Sequence, residues 1–194
     1  TNRASGKTGV ELALEAYRRG ADVTIVHRNK LGVPGINEIH AETAAQMTDA
    51  VLYELGKDYD VLISSAAIAD YTIDASEQKI KSGDGLELSF KPTRKLIKEA
   101  RRSYPQMKII GFKAEAGVDT EELLRRAKQT LETSGLDMIV ANEVSKGGIG
   151  TDNNNVTIIY SDNRENLNVE GSKSLISNVL MDEITELLAA KDEE

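Results

Sequence analysis

VLISSAAIADYTIDASEQKIK, residues 61–81, decides the fold. Val61 to Ile63 is a short aliphatic, β-branched run, the pattern of a strand buried on both faces of a parallel sheet. Ser64, Ser65, Ala66, Ala67 and Ala69 follow it. Small side chains at the carboxyl end of such a strand leave room for a flat ligand against backbone, and in open α/β sheets ligands bind at that end. Asp70 comes next, and after a polar stretch come Lys79 and Lys81. A carboxylate beside a ribose and ammonium groups beside phosphates would suit a nucleotide. The plainer reading of the same residues is a strand end, a helix cap and a solvated loop.

Working outward, strand and helix patterns alternate on both sides. Upstream, TNRASGKTG (1–9) is a polar, glycine-bearing loop that runs into Val10 to Arg19, where Val10, Ala13, Leu14 and Tyr17 recur at helical spacing and Gly20 stops the helix. A loop placed so at a helix start favours an anion. It is not a phosphate loop, because Thr1 stands where that motif needs glycine, and no G-x-G-x-x-G occurs. Asp22 to Val26 reads as a strand, Ile36 to His40 as a further short one, and Thr43 as the cap of a helix with Met47, Ala50, Val51 and Leu55 inside. Tyr53 and Lys57 match the Y-x-x-x-K spacing of short-chain dehydrogenases, at a helix end with no serine a few turns before it.

Downstream, Leu86 to Phe90 alternates as a strand, Lys91-Pro92 breaks it, and Thr93 is expected to cap a basic helix through Arg102. Lys108 to Phe112 is a strand whose end, GFKAEAG, again offers small residues. Phe112 reads there either as core or as a platform for a base. Asp119 and Glu122 form a capping-box-like start, with Leu123, Ala127 and Leu131 inside and Gly135 at the end. Asp137 to Ala141, Val156 to Tyr160 and Asn166 to Val169 read as strands. Ser172 caps a last helix with Leu175, Ile176, Val179, Leu180, Ile184 and Leu187 inward. The alternation argues for an α/β fold, a Rossmann-like, doubly wound and mostly parallel sheet, as a single domain over residues 1–194.

Composition narrows the chemistry. The 194 residues carry a formal net charge of −8 and no cysteine, which removes thiolate catalysis, disulfides and cysteine metal sites. Two histidines are too few for most metal centres. No run approaches the ~20 apolar residues of a membrane span. The acidic balance is opposite to that of a phosphate-tracking nucleic-acid binder, so neither a nucleic acid nor a membrane is an expected partner. With six tyrosines, two phenylalanines and no tryptophan, aliphatic residues must build the core.

Taken in order, TNRASGKTG (1–9), RGADVTIV (19–26), AAIADY (66–71), EQKIKSGDGL (77–86), IIGFKAE (109–115) and GLDMIVANEVSKGGIGTDNNNVTII (135–159) resemble phosphopantothenate–cysteine ligase, also called phosphopantothenoylcysteine synthetase. This is the ligase half of the bifunctional coenzyme A biosynthesis protein of bacteria and archaea, and the resemblance covers nearly the whole chain. It implies that the carboxylate of 4′-phosphopantothenate attacks the α-phosphorus of CTP, with Mg2+ escorting the triphosphate and no flavin in this domain. The acyl-cytidylate then reacts with the amine of cysteine. Residue by residue, the resemblance implies that Lys79 forms the acyl-nucleotide with Lys81 in support, and that Asn2 holds it for attack by cysteine. Asp70, Ser64, Ser65, Ala66 and Phe112 would line the nucleotide site. It also implies a cytoplasmic homodimer with the site near the subunit interface, a first strand and glycine-rich turn ahead of Thr1, and a fused or associated flavin-dependent decarboxylase.

The chain departs from the family at two further places. Thr130 and Ser134 stand where members carry lysines, which makes Lys128 or Arg126 the candidate substitutes, and the family's N-P-D reads Lys91-Pro92-Thr93. Two other functions compete: an NAD(P)-dependent oxidoreductase on the same kind of sheet, and a non-catalytic nucleotide-binding domain.

Overall fold

A computed structural model of the chain describes residues 5–73, 87–144 and 153–189. In order, the elements are α1 (Lys7–Arg18), β1 (Thr24–His27), β2 (Asn37–His40), α2 (Ala44–Leu55), β3 (Val61–Ser64), β4 (Tyr71–Thr72), β5 (Lys91–Pro92), α3 (Leu96–Ser103), β6 (Lys108–Glu115), α4 (Thr120–Ser134), β7 (Met138–Glu143), β8 (Asn153–Tyr160), β9 (Leu167–Ser172) and α5 (Lys173–Ala189). None of the described helices is long and apolar enough to cross a membrane.

Local chemistry sets the helix ends. Thr43 closes a full capping box: its hydroxyl accepts from Gln46 N at 3.1 Å, and Gln46 Oε1 accepts from Thr43 N at 3.1 Å. Thr43→Ala is expected to remove about 1 kcal/mol of stability, read as a fall of ~2–4 °C in Tm; an unchanged Tm would show that solvent caps the helix as well. Asp119 caps α4 by accepting from Glu122 N at 2.8 Å, and Gly135 leaves it in the left-handed region at φ 63°.

The main sheet has the order β3-β6-β7-β8-β9. Ser64 pairs with Gly111 and Ile110 with Met138 in parallel, whereas β7–β8 and β8–β9 are antiparallel. The expectation of a mostly parallel sheet therefore holds across β3, β6 and β7 and stops there; the sheet is mixed. The connection from Glu143 to Asn153 is shorter than the dozen or more residues of a parallel crossover, so β8 returns alongside β7. β1 and β2 form a separate parallel pair, and β4 and β5 a short antiparallel ribbon.

Strand alternation splits the core into two layers. Ile110, Met138, Val140, Val156 and Ile158 face α1 and α5, meeting Leu12, Ile176, Leu180 and Ile184. Ile109, Ile139, Ala141 and Ile159 face the other way, onto Leu55, Ala100, Leu123, Ala127 and Leu131 of α2, α3 and α4. Helices α1 and α5 run parallel: Glu15 accepts from Asn178 at 3.0 Å, and one turn on Arg19 donates to Asp182 at 2.7 Å, both pairs being 163 residues apart.

Several expectations fail. Glu87 to Phe90 form no strand and are exposed; Leu86 lies outside the described residues. Thr93 does not cap α3, whose first turn follows Lys95. In α2 the fully buried positions are Thr48, Glu54 and Leu55, with Met47, Ala50 and Val51 only half-buried. Leu175 is 47 % exposed, and Met181 takes an inward place. Leu175 instead lies over Gly171, where its Cδ2 is 2.6 Å from the position a Cβ would occupy.

Candidate functional site

The parallel strands β3, β6 and β7 end on one edge, and of the residues marked by the sequence Ser64, Ser65 and Ala66 lie there. Ser64 is the last residue of β3, and Ser65 and Ala66 continue from it, half-buried and exposed respectively. Gly9, in the first turns of α1, lies against this stretch: a Cβ on it would stand 3.1 Å from Ser65 Oγ. The start of α1 is thus docked on the end of β3. Gly6 precedes that helix at φ 75° with no side-chain cap of its own, and Asn29 Nδ2 donates to Ser5 O at 3.3 Å, joining the loop after β1 to it. First-turn N–H groups and the positive dipole end of α1 make this corner favourable to an anion.

Asp70 sits a few residues beyond, where the chain enters the β4–β5 ribbon. Thr93 fastens it in place: its backbone N donates to Asp70 O at 2.9 Å and its hydroxyl to Ala69 O at 2.5 Å. That is the use the structure makes of Thr93 in place of a helix cap. The Asp70 carboxylate is largely exposed and pairs with Lys95. The Lys95 hydrogen bond and charge, with the Lys113 charge behind them, hold the Asp70 carboxyl below the usual aspartate range. The pair is at full strength above the ordinary carboxylate pKa of ~3.9 and is lost as the pH falls below it. At neutral pH this end of the sheet presents an ionised acceptor flanked by ammonium groups. No spacing rule connects Asp70 to Lys95 and Lys113; chain folding alone brings them together.

Lys113 also pairs with Glu115 at 2.9 Å, and Arg126 of α4 donates to Glu115 at 3.0 Å and to Glu122 at 2.6 Å. Those contacts hold Glu115 below its ordinary range, Lys113 first, and the two arginines 125 and 126 bring Glu122 down to about 2. Arg126 therefore lies at this edge with its charge balanced. Lys128 does not: it lines a cavity of about 530 Å³ with Leu131, Gly135, Tyr160 and Arg164, at the opposite, amino-terminal edge of β7. Thr130 spends its hydroxyl on Arg126 O one turn back. Phe112 is half-buried and packs on the α1–α5 side of the core, serving as core while its residue lies at the edge. Asn2, Lys79 and Lys81 fall outside the described residues.

A family profile described as DNA/pantothenate metabolism flavoprotein C-terminal domain matches residues 1–188. The chain belongs to that family. Among curated proteins it is 38 % identical over 192 residues to the coenzyme A biosynthesis bifunctional protein CoaBC of Thermococcus kodakarensis, covering 97 % of this chain and 47 % of that one. The Methanocaldococcus jannaschii protein of the same name is 39 % identical over 189 residues, covering 97 % and 46 %. The chain thus spans about half the length of these relatives. Among solved structures, the C-terminal domain of a coenzyme A biosynthesis bifunctional protein CoaBC superposes with a TM-score of 0.77 at 26 % identity, covering 97 % of this chain and 86 % of that one. The DNA/pantothenate metabolism flavoprotein from Streptococcus pneumoniae shares the fold with a TM-score of 0.82 at 23 % identity, covering 96 % and 90 %.

In this DNA/pantothenate metabolism flavoprotein C-terminal domain, the dehydrogenase-like spacing has a local explanation. Lys57 donates to Glu54 at 2.7 Å and lies over the Tyr53 ring at 5.2 Å, and Tyr53 is 74 % exposed at the end of α2 that precedes β3, away from the carboxyl edge. Among the described residues no three His, Cys, Asp or Glu side chains are grouped to hold a metal ion.

Proposed function

We propose that this domain is a phosphopantothenate–cysteine ligase acting in coenzyme A synthesis, with CTP as the activating nucleotide. The observation that carries the reading, beside family membership, is the carboxyl edge itself. There the small residues Ser64–Ala66 lead to an Asp70 carboxylate paired with Lys95 near the Lys113 charge, and the start of α1 docks on Ser65 through Gly9. A base and ribose fit the small-residue floor, with Asp70 accepting from ribose hydroxyls and Phe112 at the margin.

In the proposed reaction, a carboxylate oxygen of 4′-phosphopantothenate attacks the α-phosphorus of CTP and the bond to the bridging oxygen breaks, releasing pyrophosphate. The cysteine nitrogen, having lost a proton to solvent, then attacks the acyl carbon, forming the amide as CMP leaves. Displacement at phosphorus asks mainly for fixed positive charge around the phosphoryl oxygens. Lys79, supported by Lys81, is assigned that role. Asn2 is assigned to holding the acyl-cytidylate for aminolysis. The magnesium ion enters as part of the nucleotide substrate, bound chiefly by phosphate oxygens.

The finer assembly belongs to the same proposal. A Rossmann-like sheet with one more parallel strand between β1 and β3 is supported by the half-burial of every residue of both strands, since strands covered on two sides are normally fully buried. Thr24 Oγ1 and Tyr59 OH, one from β1 and one just before β3, meet at 2.5 Å. A homodimer is supported by Tyr71, Ile73, Leu88 and Phe90, large apolar side chains 43–64 % exposed in and beside the β4–β5 ribbon. The relatives' greater length is consistent with a decarboxylase elsewhere in the same polypeptide, and the setting proposed is the cytoplasm.

The test is pyrophosphate release by the purified protein. It is expected to need CTP and 4′-phosphopantothenate together, to proceed without NAD(P), and to yield the cysteine amide once cysteine is added. Release with CTP alone, or none under any combination, would overturn the reading. Within it, Asp70→Asn is expected to raise the KM for CTP about tenfold through the loss of one charged hydrogen bond, leaving the KM for cysteine unchanged.

A further inference from the structure

We infer that Arg28 and Lys30 supply positive charge to the β- and γ-phosphates of the nucleotide, and that Glu38 is the positioning residue that fixes their loop for it. The inference rests on the ligase reading and adds residues to it. Arg28 and Lys30 lie on the loop that leaves β1 at His27, and Glu38 lies in β2, where that loop ends.

The Glu38 carboxylate reaches back across the loop. Its oxygens accept from Leu31 N and Gly32 N, both at 2.6 Å, and His27 Nε2 lies 3.0 Å from one of them. The Leu31 N–H foremost, with the Gly32 N–H and His27 behind it, holds the Glu38 carboxyl below the usual carboxylate range, so the clamp is charged at neutral pH. Before the clamp, Asn29 Nδ2 donates to Ser5 O at 3.3 Å, just ahead of α1. After it, Gly35 packs so closely on Tyr17 of α1 that a Cβ would not fit. The loop is thus fastened to β2, to the lead-in of α1 and to α1 itself.

That fastening sets where two cations stand. Arg28 and Lys30 are the chain neighbours of Asn29, so they flank its contact at the start of α1, and the same helix start meets Ser65 at the end of β3 through Gly9. The start of α1 therefore touches both this loop and the small-residue floor assigned to base and ribose. A triphosphate that runs from the floor past the helix start comes to the loop. Lys95, Lys113 and Arg126, at the same edge, are each matched to carboxylates. Arg28 and Lys30 differ: among the described residues neither has a hydrogen bond or an ion pair. The nearby Glu38 carboxylate is spent on the loop's own N–H groups and His27, which leaves both charges uncompensated. In a chain of net charge −8, two such cations pinned beside the site await an anion from outside the fold. Release of pyrophosphate needs positive charge around the departing oxygens. A guanidinium offers them a planar fork and an ammonium a point charge.

The experiment measures KM for CTP and for cysteine, the other substrates saturating, in five proteins. These are the wild type, the double variant Arg28→Gln with Lys30→Gln, Glu38→Ala, all three substitutions combined, and Lys128→Gln. The double variant is expected to raise the KM for CTP about tenfold or more, through the loss of charged hydrogen bonds. Its KM for cysteine and its Tm should match wild type, since neither side chain supports a contact in the fold. Glu38→Ala is expected to raise the KM for CTP by a similar factor. The triple variant should rise no further than the double, because the clamp acts only through the two cations. Lys128→Gln, which removes a cation at the opposite edge, should change neither KM. An unchanged KM for CTP in the double variant would overturn the inference. So would equal rises for CTP and cysteine, a comparable rise in Lys128→Gln, or a triple variant whose rise is the product of the other two. Should Glu38→Ala fail to fold, Glu38→Gln, which keeps one acceptor oxygen, takes its place in the comparison and is read the same way. A wild type that releases no pyrophosphate removes the ligase reading and this inference together, whereas an active wild type indifferent to Arg28 and Lys30 removes the inference alone.

Discussion

Replacing Lys79 with alanine is expected to lower the rate of CTP-dependent pyrophosphate release by about 10²–10³-fold, the usual loss when one fixed donor to a developing charge is removed. The chemistry behind the figure is the triphosphate. As pyrophosphate departs, negative charge builds on oxygens that water would otherwise stabilise, and an ammonium held in a dry site does so without having to reorganise. The chain between Ile73 and Glu87, which carries Lys79, leaves and re-enters the described structure at the β4–β5 ribbon beside Asp70. On the proposed mechanism, Asn2→Ala is expected to release one equivalent of pyrophosphate per site in a burst and then stall before amide formation. Pyrophosphate kinetics, followed with and without cysteine, read both variants. An equal loss of the burst in both would contradict the division of labour.

The second large effect is on stability and lies at the opposite edge of the sheet. Arg101, on α3, donates to the carbonyl oxygens of Gly135, Pro105 and Met107 at 2.7–2.8 Å, and to Asp137 at 2.5 Å. Asp137 in turn accepts from Ile109 N at 2.8 Å. One guanidinium thus ties the end of α3 to the starts of β6 and β7, and its fork geometry allows the contacts to form together. Arg101→Leu is expected to cost about 2–4 kcal/mol, because it removes at once the donor to three carbonyls and the main charge partner of a partly buried carboxylate, which keeps Ile109 N and Lys108 at 3.7 Å. Urea denaturation should show a lower midpoint with an unchanged slope. Arg101→Lys should recover less than half the loss, since an ammonium cannot serve the same fork. A midpoint within error of wild type would mean that water replaces the network.

What was legible of the candidate site is local. Ser64 to Asp70 announce a strand end by composition alone, and the structure places them at the carboxyl edge. The capping residues Thr43 and Asp119, the inward row Leu123, Ala127 and Leu131, and the stop at Gly135 all act within one or two helical turns. The misreadings share a different cause. Thr93 has the chemistry of a cap, but the β4–β5 ribbon claims its hydroxyl for Ala69, twenty-four positions away. Leu88 and Phe90 alternate like strand residues, yet no strand among the described residues pairs with Glu87 to Phe90. Leu175 carries the period of an inward residue, but its side chain covers Gly171 at the rim of the core.

By itself the sequence determined the alternating α/β order, the capped start of α2, both ends of α4 and the position of the small-residue strand end, because each depends on backbone preferences and apolar periodicity within a few residues. Only the tertiary structure decided that β8 and β9 return antiparallel, that Lys95 pairs with Asp70, and that Arg126 and not Lys128 stands at the carboxyl edge of the parallel strands. Each of these is a contact between segments remote in the chain, and charge, burial and hydrogen-bond satisfaction exist only once those segments have met.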